Sequence, residues 1–245
     1  MVPDNSETAS ATAQEAETSA SPKLADELRA LASDPGLNED RALALLKRND
    51  LPAEVLEQLS HNPAALRSRK LKAAVVSHLN TPRYVSLALL RQLFTFDLMH
   101  VALAPTIAGD VRVAAEQALI KRIEKITYGE RLSLARRASG RVAGALLLDQ
   151  EARVIHAALD NPRLTEDFIV RALTREGSPR LVDAVCRHPK WSLRRDIRIA
   201  LLRNEHTPSV RAIEFARMLS APRLKEIMQD SRLPESIKAR LLQSD

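Results

Sequence analysis

The chain has a single cysteine, Cys186, among 245 residues. Neither a disulfide framework nor a cysteine-based metal site can form within one such chain. Cys186 lies in the apolar run Leu181-Val182-Asp183-Ala184-Val185-Cys186 and is read as a small buried hydrophobe. Aromatic residues make up only 3% of the chain, which disfavours sheets built on aromatic and β-branched pairs. The six glycines, Gly36, Gly109, Gly129, Gly140, Gly144 and Gly177, are scattered and form no loop of the kind that cradles phosphates. No run approaches the roughly 18 consecutive apolar residues of a membrane span. The N-terminus lacks the basic-then-apolar order of a secretory signal, so the expected location is cytoplasmic. The histidines His61, His78, His100, His156, His188 and His206 form no HExxH or comparable ligand pair. Asp97 with His100, and His156 with Asp160, share helical faces, a pairing common by chance. The expectation is a chain without metal, cofactor or catalytic residues.

What is present is aliphatic and charged: 45% hydrophobic and 28% charged residues, with Leu, Ala, Arg and Ile prominent. That composition favours helices. Net charge is +6. Residues 1–22 hold Asp4, Glu7, Glu15 and Glu17 and no Lys or Arg, which leaves 37 basic against 27 acidic residues in the remainder, about +10. Such a surface suits nucleic acid, an acidic protein or an anionic surface alike. Residues 1–22 consist mainly of Ser, Thr, Ala, Glu and Gln, too little apolar surface to offset their ordering entropy, and are expected to be a disordered tail.

From Lys23 onward, apolar residues recur at helical spacing, as in Leu71, Ala74, Val75 and Leu79, or Phe168, Ile169, Ala172 and Leu173. Helix starts are marked by Thr81-Pro82, Ser178-Pro179 and Thr207-Pro208, where a hydroxyl serves as N-cap and Pro takes the first helical position. Thr127-Tyr128-Gly129-Glu130 has the capping-box pattern, and Thr165-Glu166-Asp167 puts acids where the helix dipole favours them. Asp34-Pro35, Asn62-Pro63, Asn161-Pro162 and His188-Pro189 mark helix ends.

Two marker series suggest a repeat. Thr81, Thr127, Thr165 and Thr207 are 46, 38 and 42 residues apart, and Arg67, Arg112, Arg153 and Arg194 are 45, 41 and 41 apart. A period near 42 with two helices per unit predicts four to five stacked helix pairs over residues 23–245, an α-solenoid. The arginine series reads either as a set of ties between neighbouring units or as a basic stripe. The strings Asn80-Thr81-Pro82-Arg83-Tyr84-Val85, Asn161-Pro162-Arg163-Leu164-Thr165-Glu166 and Asn204-Glu205-His206-Thr207-Pro208-Ser209-Val210 resemble the inter-helix turns of bacterial HEAT-like repeats and are similar to the leucine-rich repeat variant family. The resemblance spans residues 38–243. A member of the variant family can carry an iron–sulfur cluster in a cysteine-bearing segment; with Cys186 alone, that cofactor is not carried over.

The rhythm is least regular at 94–108, where Phe94-Thr95-Phe96-Asp97-Leu98-Met99-His100-Val101-Ala102-Leu103 inserts an extra apolar helix. A packed seam between subdomains is expected; an exposed partner-binding element is the other reading.

Two basic patches are the candidate contacts. Arg136, Arg137 and Arg141 surround Ser139-Gly140, read as a helix C-terminal cap or as an anion-binding corner. Lys190, Trp191, Arg194, Arg195 and Arg198 interleave cations with the only Trp, read as a solvated face over a plugging indole or as a phosphate-and-base site. The HEAT resemblance includes alkylpurine DNA glycosylases that use a concave basic surface. The expected function is a protein-binding scaffold, with nucleic-acid binding or repair as the alternative and a structural subunit of a bacterial assembly as the third reading.

Overall fold

The computed structural model describes residues 22–243. Among them the chain forms seventeen α-helices and one 3-10 turn, with no strand, so the fold is all-α. The tail expected over 1–22 lies outside the described residues, apart from Pro22, which opens the first helix.

Two compact units are formed, one holding the described residues up to Asp97 with Ala104–Arg112, the other Leu98–Leu103 with the chain from Val113. The first contains α1 (Pro22–Ser33), α2 (Glu39–Leu46), α3 (Ala53–His61), α4 (Pro63–Arg67), α5 (Arg69–Ser77) and α6 (Arg83–Leu90). Two helices are divided between the units, α7 (Thr95–Leu103) and α8 (Gly109–Arg122). The second unit continues with α9 (Tyr128–Arg137), α10 (Gly140–Leu146), α11 (Ala152–Leu159), α12 (Glu166–Glu176) and α13 (Pro179–Arg187). It closes with α14 (Arg195–Leu202), α15 (Ser209–Ala216), α16 (Ala221–Gln229) and α17 (Glu235–Leu242).

Local chemistry sets many of these boundaries. Thr127 caps α9 in a complete capping box with Glu130. Ser178 accepts from the Leu181 N–H, with Pro179 in the first turn of α13. Thr81 and Thr207 behave differently from the expectation. Pro82 and Pro208 occupy the N-cap positions of α6 and α15. Each threonine hydroxyl instead donates back to the preceding helix, Thr81 to the Val75 carbonyl at 2.5 Å and Thr207 to the Leu201 carbonyl at 2.6 Å.

The helices of the second unit pack in alternation. Each of α9 to α12 rests against the helix two places on, as α14 and α15 do against α16 and α17. In one row α10, α12, α14 and α16 begin at Gly140, Glu166, Arg195 and Ala221, 26, 29 and 26 residues apart. In the other, α9, α11 and α13 begin at Tyr128, Ala152 and Pro179, 24 and 27 apart. The 42-residue spacing of the threonines therefore encloses three helices, α9 to α11 and then α12 to α14, where two were expected. An odd step exchanges the rows, so the marked arginines are not equivalent either. Arg112 is the fourth residue of α8, Arg153 the second of α11, and Arg194 the N-cap of α14.

The end of one helix is tied to the end of the helix it stacks on. The last four carbonyls of a helix have no partner within it, and here a side chain from the next helix in the row supplies one. Asn161, after α11, donates to the Ala135 and Ala138 carbonyls at the end of α9, at 2.8 and 3.1 Å. Trp191, after α13, donates its indole N–H to the Leu159 carbonyl that ends α11, at 2.8 Å. Asn204, after α14, bonds the Leu173 carbonyl at 2.9 Å, and Ser231, after α16, bonds the Leu202 carbonyl at 2.6 Å. The first unit uses the same device. Asn62, after α3, reaches the Ala32 carbonyl in the last turn of α1 and the Asp34 carbonyl just past it, both at 2.8 Å, and Asn80, after α5, reaches those of Asn49 and Leu51 beyond α2. An amide suits the task because its oxygen is left free to cap the turn that follows: Asn161 Oδ1 accepts from the Arg163 N–H and Asn204 Oδ1 from the His206 N–H.

Candidate partner-binding surface

The helices of the second unit leave several clefts. One of them, about 780 Å³, is lined by the apolar residues Ile120, Ile123, Ala145, Leu148, Phe168 and Ala172. Glu124, Arg131, Asp149, Arg171 and Arg175 add charged side chains to the lining. Arg131 is held in the wall by Asp149 at 2.7 Å and by the Ile126 carbonyl at 3.2 Å. Arg171 pairs with Asp167 one turn back on α12. A lining that mixes apolar and charged side chains is the composition of a protein-binding surface.

Of the first basic patch, one side chain is paired. Arg141 pairs with Glu116 at 3.4 Å, and the Arg137 carbonyl accepts from Arg163 at 3.3 Å. Arg136 and Arg137 occupy the last turn of α9, where the helix dipole favours cations. Gly140 is not a left-handed cap residue, since no described glycine has a positive φ. It opens α10, and a Cβ there would land on the Arg163 backbone carbonyl. Close approach of the two chain segments is what requires the glycine. Ser139, the N-cap of α10, makes no side-chain cap bond, and the seven-residue helix it precedes is too short to present an anion site. Arg136 lines a cleft of about 400 Å³ with Tyr128, Arg153 and His156.

The second patch divides in two. Trp191 is only 3% exposed, and its N–H is used by Leu159. Its indole therefore belongs to the core and offers no free face for a base, while Lys190 covers the ring at 4.0 Å. His188 shapes the same turn: its Nδ1 accepts from the Lys190 N–H at 3.2 Å and its Nε2 meets Asp160 at 3.2 Å. His78 in the first unit is used alike, with Nδ1 accepting from Asn80 and Nε2 donating to the Arg48 carbonyl. Arg194 is the exposed N-cap of α14.

Arg195 and Arg198 instead line a cleft of about 280 Å³ between the starts of α14 and α16 and the end of α15. Its other walls are Leu193, Phe215, Met218, Leu219, Ser220 and Arg223. Arg198 is held by the Ser192 carbonyl at 2.7 Å and lies 5.7 Å from the centre of the Phe215 ring. Leu193 and Met218 are 67% and 70% exposed. Neither was legible as a contact residue in the sequence, because nothing in the local pattern separates them from core positions.

The cleft lined by Arg136 and the cleft lined by Arg195 and Arg198 share no residue, although Asp160 in the first is met by His188 of the second patch. In the first unit the comparable cluster is closed: Arg69 forms a two-bonded pair with Asp97 and lies over the exposed Phe94 ring at 4.8 Å. Hydrogen bonding to Asp97 holds the Arg69 guanidinium above its ordinary pKa. The Tyr84 hydroxyl is likewise shifted up by its bond to Glu57, and Ser68 with Lys70 draws the Glu39 carboxyl down. In α7, which follows Phe94, Leu98, Met99, Val101 and Ala102 are buried.

Among the described residues no three His, Cys, Asp or Glu side chains stand close enough to hold a metal ion. Burial pushes the Cys186 thiol up to about 11, the opposite of what a nucleophile needs. No described helix is long and apolar enough to cross a membrane. The chain matches no protein-family model, no curated protein and no solved structure.

Proposed function

We propose that the chain is a non-catalytic, cytoplasmic binding module whose helix pairs stack as in a HEAT-like α-solenoid, presenting its surface to a protein partner. The observation that carries this reading is the 780 Å³ cleft beside α10 and α12, lined by both apolar and charged side chains. Alternating rows of helices support it, since stacked pairs expose a long surface whose residues can vary without disturbing the core. A unit of about 26 residues, rather than 42, fits the row spacings. Nucleic acid is the alternative that the basic charge leaves, but the buried Trp191 and the Arg141–Glu116 pair weigh against it.

Quantitative affinity capture with the full chain, compared with a Leu148→Asp, Ala145→Asp variant of the large cleft, tests the proposal. A protein captured at defined stoichiometry and lost with the variant supports it. Tighter retention of DNA or RNA, falling steeply with salt as counterion release demands, would replace it with the alternative.

A further inference from the structure

Within that protein-binding reading, we propose that the cleft between α14, α15 and α16 is a docking site for an acidic peptide segment that inserts one large apolar side chain. Three arginines, Arg195, Arg198 and Arg223, line it, and no acidic residue does. Arg195 has no ion-pair or hydrogen-bond partner among the described residues. Arg198 spends its Nε on the Ser192 carbonyl, which fixes the guanidinium beside the cleft without neutralising it. Arg223 is paired with Glu226 one turn along α16, and its buried Nε lacks a partner. Asp196, Glu214 and Glu226, which neighbour or pair with lining residues, are exposed and outside the lining.

The apolar half of the site has the other half of the recognition chemistry. Phe215 is buried at the base, while Leu193 and Met218 stand out beside it, 67% and 70% exposed. An adaptable thioether and a leucine grip aliphatic or aromatic side chains of varied shape. The volume, about 280 Å³, lies below the ~300–1,000 Å³ of sites that enclose a small molecule, so it fits a side chain of a longer ligand. A nucleic acid is the poorer match. Single strands are held by exposed aromatic faces, and here the one ring in the lining, Phe215, is buried with Arg198 nearby.

The experiment is fluorescence anisotropy of the full chain with a labelled synthetic peptide in which leucines are flanked by glutamates. The same peptide with alanine for leucine and an oligothymidylate strand of matching length are the comparison probes. Saturable binding of the leucine peptide is expected, weakened about tenfold or more by the alanine exchange. Met218→Asp and Arg195→Glu are each expected to weaken it by about tenfold, and added salt to weaken it further. Both residues are exposed, so the thermal melts of the variants should match that of the parent and a folding failure is told apart directly.

No saturable binding up to about 1 mM overturns the proposal. So do equal binding of the leucine and alanine peptides, indifference to both substitutions, or tighter binding of oligothymidylate. A protein partner captured by the full chain and unaffected by Met218→Asp would leave the binding-module reading standing and remove this site alone.

Discussion

The two basic patches look alike as sequence, each a cluster of arginines beside a turn, yet they are built differently. At 136–141 Arg141 is paired with Glu116, while Arg136 and Arg137 are exposed in the last turn of α9, Arg136 lining a cleft with Tyr128, Arg153 and His156. At 187–198 the framework is carried by His188 and Trp191, which leaves Arg195 and Arg198 to line an open cleft. Basic density alone does not mark a site. What matters is which other groups have taken over the structural work.

The sharpest way to break this contrast is Gly140→Ala. The added methyl meets the Arg163 backbone, so a loss of about 3 kcal/mol is expected in chemical denaturation, against changes below about 0.5 kcal/mol for Arg136→Glu. A tolerated Gly140→Ala would mean that the first patch is an adaptable surface after all. Next in size is the thiol beside the second patch. With its pKa raised from 9.0 to about 11, native Cys186 at pH 8 should react with iodoacetamide about 100-fold more slowly than in the unfolded chain, from ionisation alone. The same shift destabilises the fold in alkali: the thiol's contribution is intact below about pH 9 and is lost as pH rises toward about 11. Equal reactivity in both states would show that the core beneath Arg187 is open.

The anchors of the two patches should differ by less. Asn161→Ala leaves the Ala135 and Ala138 carbonyls without a donor and is expected to cost about 2–3 kcal/mol, Trp191→Phe about 1–2 kcal/mol for the one bond to Leu159. Urea titration of both variants measures the ordering. The smallest effect is Arg141→Ala, below about 1 kcal/mol because its pair with Glu116 is half exposed on the arginine side.

Much of the helical pattern was legible in the sequence, because the caps at Thr127 and Ser178 and the apolar spacing of α13 act locally. The repeat was harder to read. Thr127, Thr165 and Thr207 all precede helices, but three helices separate each from the next, and the spacing of similar residues says nothing about how many helices lie between them. Thr81 and Thr207 carry an N-cap signature while their hydroxyls serve the helix behind, a choice made by tertiary packing. The better guide was the asparagine just past a helix end, at Asn62, Asn80, Asn161 and Asn204, whose partners lie 23 to 31 residues upstream. Of the candidate contacts, Arg195 and Arg198 line a cleft and Trp191 is buried, a distinction that needs the fold. Leu193 and Met218 gave no signal, since exposure is invisible in composition.

Removing the last two helices tests the proposed stacking most directly. In a stack where each helix depends on its neighbours, a chain ending at Ser220 should lose circular-dichroism helix signal only in proportion to α16 and α17 and still unfold cooperatively in urea. Collapse of the whole helical signal on that truncation would contradict the account.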